Sequence, residues 1–176
     1  RVEDRVRDVT RAKALLAEAG FPDGLDTDLW AMPNPRPYMP KPSECAQVLK
    51  SQLADVGIRC TLRSPPWSEY LDKTGNGEHP MCLLGWTTDN GAPDNFLAVH
   101  LHARNAKAPG AQNRAFYKDS AVSTLLDQAA ATMEPVARAE LYRQVQEKVF
   151  ADCPMVPLAY LPEGMAMRQE VRGYVL

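Results

Sequence analysis

Three short strand-like runs, at residues 25–32, 58–63 and 81–86, are separated by stretches of helical character, and this alternation constrains the fold more than any other feature. Residues 42–56 have the pattern of an amphipathic helix: Pro42 and Ser43 suit its start, and Gly57 suits its stop. With a strand on either side, the helix completes a strand–helix–strand unit, which implies parallel pairing and a right-handed crossover. After Pro65 and Pro66 a short helix is expected over residues 68–73, stopped by Gly75-Asn76-Gly77 before the third strand begins. Strands that alternate with helices predict an α/β fold, a mostly parallel sheet flanked by helices.

Outside that unit, residues 9–19 read as a helix closed by Gly20. Pro93 and Asp94 suit the first turn of another short helix, with Asp94 expected to cap it. Residues 103–115 show no periodicity and read as a mobile loop. Two further helices are expected at 121–133, with Ser120 as cap, and at 135–151, opened by Pro135. Residues 155–160 read as a strand interrupted by Pro157, hence an edge or crossing segment.

A length of 176 residues fits one domain with a sizeable core. A net charge of −2 does not provide the basic surface that nucleic acid requires. No apolar run approaches the ~20 residues of a membrane span, and the charge-rich residues 1–11 do not read as a signal peptide. Cys45, Cys60, Cys82 and Cys153 are widely spaced and read as small buried hydrophobes, with no pairing demanded by their spacing. His100 and His102 would share one strand face, but no third ligand is near in sequence, so no metal or other cofactor is expected. His79, beside Pro80, reads as a loop residue. Nucleophile elbows, zinc-protease helices and phosphate-binding glycine loops are all missing, which argues against an enzyme.

The chemistry concentrates where strands end. Gly85-Trp86-Thr87-Thr88-Asp89-Asn90-Gly91-Ala92-Pro93-Asp94-Asn95-Phe96 follows the third apolar run and breaks it with glycine and proline. In an open α/β sheet the crevice beyond the carboxyl ends of strands is where ligands bind. Asp89 in Asp-Asn-Gly is a turn residue by its own chemistry and also a carboxylate suited to a ligand ammonium. Arg36 is either a surface arginine or a carboxylate fork, and Pro35 and Pro37 stiffen the loop that holds it. Trp30 is expected in the core, whereas Trp86 and Tyr38 are better placed to line a cleft.

Taken in order, Asp28 to Tyr38, Trp67-Ser68-Glu69-Tyr70-Leu71, Gly77-Glu78-His79 and Gly85 to Phe96 resemble the C-terminal lobe of bacterial periplasmic dipeptide-binding proteins. The resemblance runs from Ala12-Lys13-Ala14-Leu15-Leu16 to Val171-Arg172-Gly173-Tyr174-Val175. It implies one lobe, residues 1–176, of a larger two-lobed protein whose other lobe lies before Arg1, with a return segment after Leu176. It implies a periplasmic or lipid-anchored monomer that captures a dipeptide or short peptide for the membrane permease of an ABC importer. By the same resemblance Arg36 falls on the carboxylate-binding arginine and Asp89 on the ammonium-binding aspartate; Trp86, Tyr38 and Asn90 complete the expected ligand-binding set. Two departures stand out: Ala92 replaces a second acidic residue, and residues 100–116 match poorly and lack a cysteine found in relatives. Oligopeptide, glutathione, haem or a nickel complex therefore remain alternative ligands, and an α/β hydrolase or transferase is the rival from another class.

Overall fold

The computed structural model describes residues 6–160 and 167–173. Helix α1 (Val9–Glu18) begins at Asp8, whose carboxylate accepts from the Arg11 amide at 2.8 Å. A tight turn leads into strand β1 (Leu25–Trp30). Helix α2 (Pro42–Ala54) then crosses to β2 (Ile58–Arg63), which pairs with β1 in parallel register from Leu25 opposite Ile58 to Trp30 opposite Arg63. Helix α3 (Trp67–Asn76) returns the chain to β3 (Met81–Cys82), parallel to β1 on its other side. The sheet order is thus β2-β1-β3. The chain winds to one side of β1 and then to the other, which creates a switch point at the carboxyl end of β1.

The two turns that launch β1 and β2 touch. A side chain at Gly24 would meet the Gly57 carbonyl oxygen at 2.1 Å, and Gly24 also adopts φ +80, so glycine is required there twice over. One core layer lies between α2 and the sheet (Leu29, Ala31, Ala46, Cys60, Leu83). A second lies under α3 (Trp30, Met32, Tyr70). The Tyr70 hydroxyl donates to the Leu83 carbonyl at 2.6 Å and lies 3.2 Å from the Trp30 carbonyl, so one buried phenol ties together the ends of β3 and β1.

The C-terminal half is helical. Helix α4 (Asp94–Leu101), a single 3-10 turn (Ala103–Asn105), α5 (Ser120–Ala131) and α6 (Pro135–Asp152) share a core of Leu101, Val122, Leu126, Ala129, Tyr142 and Val145. Asp119 rather than Ser120 caps α5, accepting from the Val122 amide at 2.8 Å. Glu134 caps α6, and Pro135 occupies its first turn as expected. Asp94 stands in the first turn of α4 without a side-chain cap bond; there its charge complements the helix dipole.

Several expectations are corrected. β3 pairs over two residues rather than six, because β1 ends at Trp30 and offers no further ladder. Helix α3 runs through Gly75 to Asn76, and the left-handed Gly77 alone stops it. Residues 103–115 are anchored, not mobile: Ala106, Ala111 and Asn113 are buried, and the Ala111 amide donates to the Gly75 carbonyl. Residues 155–160 join no strand among those described; Pro157 removes a donor mid-run, and Val156, Leu158 and Tyr160 lie exposed. Cys153 is exposed, because as the left-handed cap of α6 (φ 51) it projects from the helix end. Of the run 171–175, residues 174 and 175 lie outside the described part of the chain.

Candidate functional site

Beyond the carboxyl ends of β1 and β3 lies a cleft of about 250 Å³. Much of its wall comes from segments that leave strands. Tyr38 follows β1, Trp67 opens α3 after β2, and Leu84 to Thr87 follow β3. The far side is closed by His100 of α4 and by Arg114 from the anchored segment. This is the crevice position that strand order predicts for a ligand.

Arg36 is fixed from both sides. Its amide donates to the Met39 carbonyl at 3.1 Å, the Met39 amide donates back at 2.9 Å, and prolines flank it. The guanidinium carbon sits 4.0 Å over the Trp67 ring, which itself stacks on Tyr70 with centroids 5.7 Å apart and planes 9° from parallel. Arginine, indole and phenol form one column, and a cation on a tryptophan face is held in orientation without its charge being neutralised. Among the described residues no carboxylate pairs with Arg36, and its buried Nε has no hydrogen-bond partner.

Asp89 stands on the other arm. Its amide donates to Asn95 Oδ1 at 3.1 Å, and Asn95 Nδ2 donates to Asp89 Oδ2 at 3.4 Å. The same Asn95 Oδ1 accepts from Trp86 Nε1 at 3.0 Å. Asn95 therefore couples the aspartate to a cleft wall, a role that sequence reasoning missed because an asparagine near a helix start reads as turn or cap chemistry. Asp89 also lacks an ion-pair partner among the described residues and is exposed. Asn90 accepts from the Ala92 amide at 3.0 Å in an Asx turn and is not among the side chains lining the cleft. Trp30 is buried in the core, its Nε1 unpartnered.

Sequence reasoning also passed over Arg114 and His100. Arg114 Nη1 donates to the Leu71 carbonyl at 3.0 Å, and burial lowers its pKa. His100, nearly buried, packs edge-on against Trp86 with centroids 5.1 Å apart, and its Nδ1 lies 3.3 Å from the Gln112 carbonyl. Burial lowers its pKa, the Gln112 bond opposes that in part, and the Arg114 charge lowers it a little further. His79 is likewise more than a loop residue: its Nε2 lies 3.1 Å from the Arg114 carbonyl and helps fix that segment. Among the described residues no group of three metal-ligating side chains converges.

Residues 2–108 match the family described as bacterial extracellular solute-binding proteins, family 5 Middle. The chain belongs to this family. It is 37% identical over 175 residues to the Dipeptide-binding protein of Escherichia coli (strain K12). The match takes in 99% of this chain and 32% of that protein, so the chain spans about a third of such relatives. Di/tripeptide-binding protein 4 of Pseudomonas aeruginosa is 39% identical over the same shares, and Heme-binding protein A of Haemophilus influenzae is 34% identical over 99% of this chain and 31% of that protein. Among solved structures, the periplasmic binding protein DppA of Helicobacter pylori in complex with peptide STSA superposes with a TM-score of 0.80 at 37% identity, over 87% of this chain and 29% of that one. The fold is that of one lobe of the two-lobed periplasmic binding proteins.

Proposed function

We propose that this chain is the ligand-clamping lobe of an extracytoplasmic, two-lobed receptor that delivers dipeptides or short peptides to an ABC importer. One observation carries the reading: a cation, Arg36, stacked on Trp67, and an anion, Asp89, joined through Asn95 to Trp86, each lack an ion-pair partner among the described residues. Neither lines the aromatic cleft itself, but each is fixed to a different residue of its wall. A free dipeptide is a zwitterion and supplies the two missing charges, its carboxylate to Arg36 and its ammonium to Asp89. Charge-assisted hydrogen bonds of this kind contribute about 1.5–3 kcal/mol each. Two fixed, opposite charges select for ligand length as well as charge. Trp86 and Tyr38 supply apolar walls between them. Names of relatives that bind dipeptides and di/tripeptides support the same ligand class. No bond is made or broken in this role; the work is closure of a second lobe over the solute, driven by the ligand's higher affinity for the closed state.

The test is calorimetric titration of the full-length protein with a free dipeptide, its N-acetyl form and its C-terminal amide. Micromolar binding of the free form, weakened about 30-fold or more by blocking either end, supports the clamp. Equal binding of blocked and free forms would overturn it.

A further inference from the structure

The far side of the cleft holds charge that the clamp does not use. A guanidinium has five N–H donors, and that of Arg114 makes a single hydrogen bond among the described residues, through Nη1 to the Leu71 carbonyl. No carboxylate pairs with it there. Its place is nonetheless built. Gly75, buried in α3, leaves the space it fills, since a Cβ at Gly75 would meet Arg114 Nη1. The backbone of Arg114 is held by His79, and Asn113 beside it is fully buried, with its Nδ2 donating to the Tyr117 carbonyl at 2.9 Å. A half-buried cation held this firmly in the wall of a cleft, with its fork unspent, is costly unless a partner arrives. Next to it His100 Nε2 is buried without a partner while Nδ1 is engaged by Gln112.

We propose that Arg114 reads the side chain of the captured peptide and selects a carboxylate, so that dipeptides carrying aspartate or glutamate are the favoured ligands. The proposal rests on the zwitterion clamp and adds a third charge contact to it. Planar guanidinium and planar carboxylate pair through two parallel hydrogen bonds, a geometry that neither an aliphatic side chain nor a lysine can match. An asparagine of the same shape offers a single neutral acceptor and ranks between. Lysine ligands are rejected by like charge, which gives the site a repulsive as well as an attractive means of discrimination. His100 is the positioning neighbour: packed against Trp86 and Phe96, it fixes the wall beside the guanidinium.

Leucine, asparagine and aspartate are nearly equal in shape, so alanyl dipeptides of the three, in both residue orders, isolate the charge. Calorimetry on the full-length protein should show an aspartyl dipeptide binding about tenfold or more tighter than its leucyl counterpart in at least one order. In Arg114→Met the ratio of aspartyl to leucyl affinity should fall to about one, with a thermal melt of the same variant showing that it is folded. Arg114→Lys should keep part of the preference, having the charge without the fork. Equal affinity for the three ligands in the unaltered protein overturns the proposal and leaves the clamp standing, as does a preference that survives Arg114→Met. Failure of every dipeptide to bind would remove the clamp and this subsite together.

Discussion

The Tyr38 ring occupies the space that a side chain on Gly85 would need: a Cβ there would come within 2.3 Å of Tyr38 Cδ2 and 2.6 Å of Cε2. The loop that leaves β1 and the loop that leaves β3 are packed together by the absence of one methyl group. Gly85→Ala should therefore move the tyrosine rather than the strand end, which Tyr70 holds. The expected cost is about 1–3 kcal/mol of stability, typical of overpacking. A fall in peptide affinity of about tenfold should accompany it as the cleft wall shifts. Thermal melts and calorimetry on the same variant measure the two effects. A full-affinity Gly85→Ala protein would show that Tyr38 does not shape the site.

Asp89 and Asn95 should behave as one unit. Asp89→Asn leaves a ligand ammonium facing a neutral group and should weaken dipeptide binding by about 2 kcal/mol or more; Arg36→Ala should do the same at the carboxylate end. Asn95→Ala removes the bonds to the Asp89 amide and carboxylate and to Trp86 together, with an expected loss of about 1 kcal/mol. The double variant Asp89→Asn with Asn95→Ala should lose less than the sum of the two, because the asparagine acts through the aspartate. Strict additivity would assign Asn95 to Trp86 alone.

Asp119 joins two helices, with Oδ1 accepting from the Val122 amide at 2.8 Å to cap α5 and Oδ2 lying 3.0 Å from Lys148 of α6. Asp119→Ala should cost about 1–2 kcal/mol, chiefly through the lost cap. The cap bond, and then the Lys148 ammonium, hold the carboxyl below its ordinary 3.8. Its contribution is therefore complete above that value and disappears as pH falls through the lower folded one. Acid titration of urea midpoints should show a shallower loss in Asp119→Ala than in the unaltered protein.

The sheet and its first crossover were legible because each of their signals is local. Pro42 marks where α2 starts, and Gly57 follows it into β2. Arg36 between two prolines announces a stiffened charge, and Gly85 with Asp89 announces a strand ending in a turn. What was not legible depends on contacts distant in sequence. β3 looks six residues long, yet its pairing stops with its neighbour β1. Residues 103–115 lack periodicity because their order comes from single buried anchors, Ala106, Ala111 and Asn113, and from bonds such as that of the Ala111 amide to the Gly75 carbonyl. Arg114 stayed hidden for the same reason: nothing beside it in sequence reveals that it reaches α3 and the cleft.

Alkaline pH should loosen the site from beneath. Cys82 ends β3 in contact with Tyr70, and burial pushes its thiol from the ordinary 9.0 up to about 11. Burial also raises the Tyr70 hydroxyl well above its ordinary 10.0. Both groups keep their protons more firmly in the folded state than in the unfolded chain. Their contribution is therefore complete below pH 9.0, where both states are protonated, and declines as pH rises past it and unfolding releases a proton. For Cys82 the loss is complete near pH 11 and amounts to something on the order of 2 kcal/mol. For Tyr70 it begins near pH 10.0 and continues upward. Cys82→Ala should flatten the first part of that decline and leave the second in place. Tyr70→Phe should reduce the second part, to which the Tyr38, Tyr117 and Tyr142 hydroxyls, also raised by burial, contribute as well. It should cost about 1–3 kcal/mol at neutral pH, because the Leu83 carbonyl loses its buried donor. Urea unfolding at about pH 8, 9.5 and 10.5 separates the two contributions. A Cys82→Ala protein whose stability falls as steeply between the first two values as that of the unaltered chain would show that the thiol is not the group responsible.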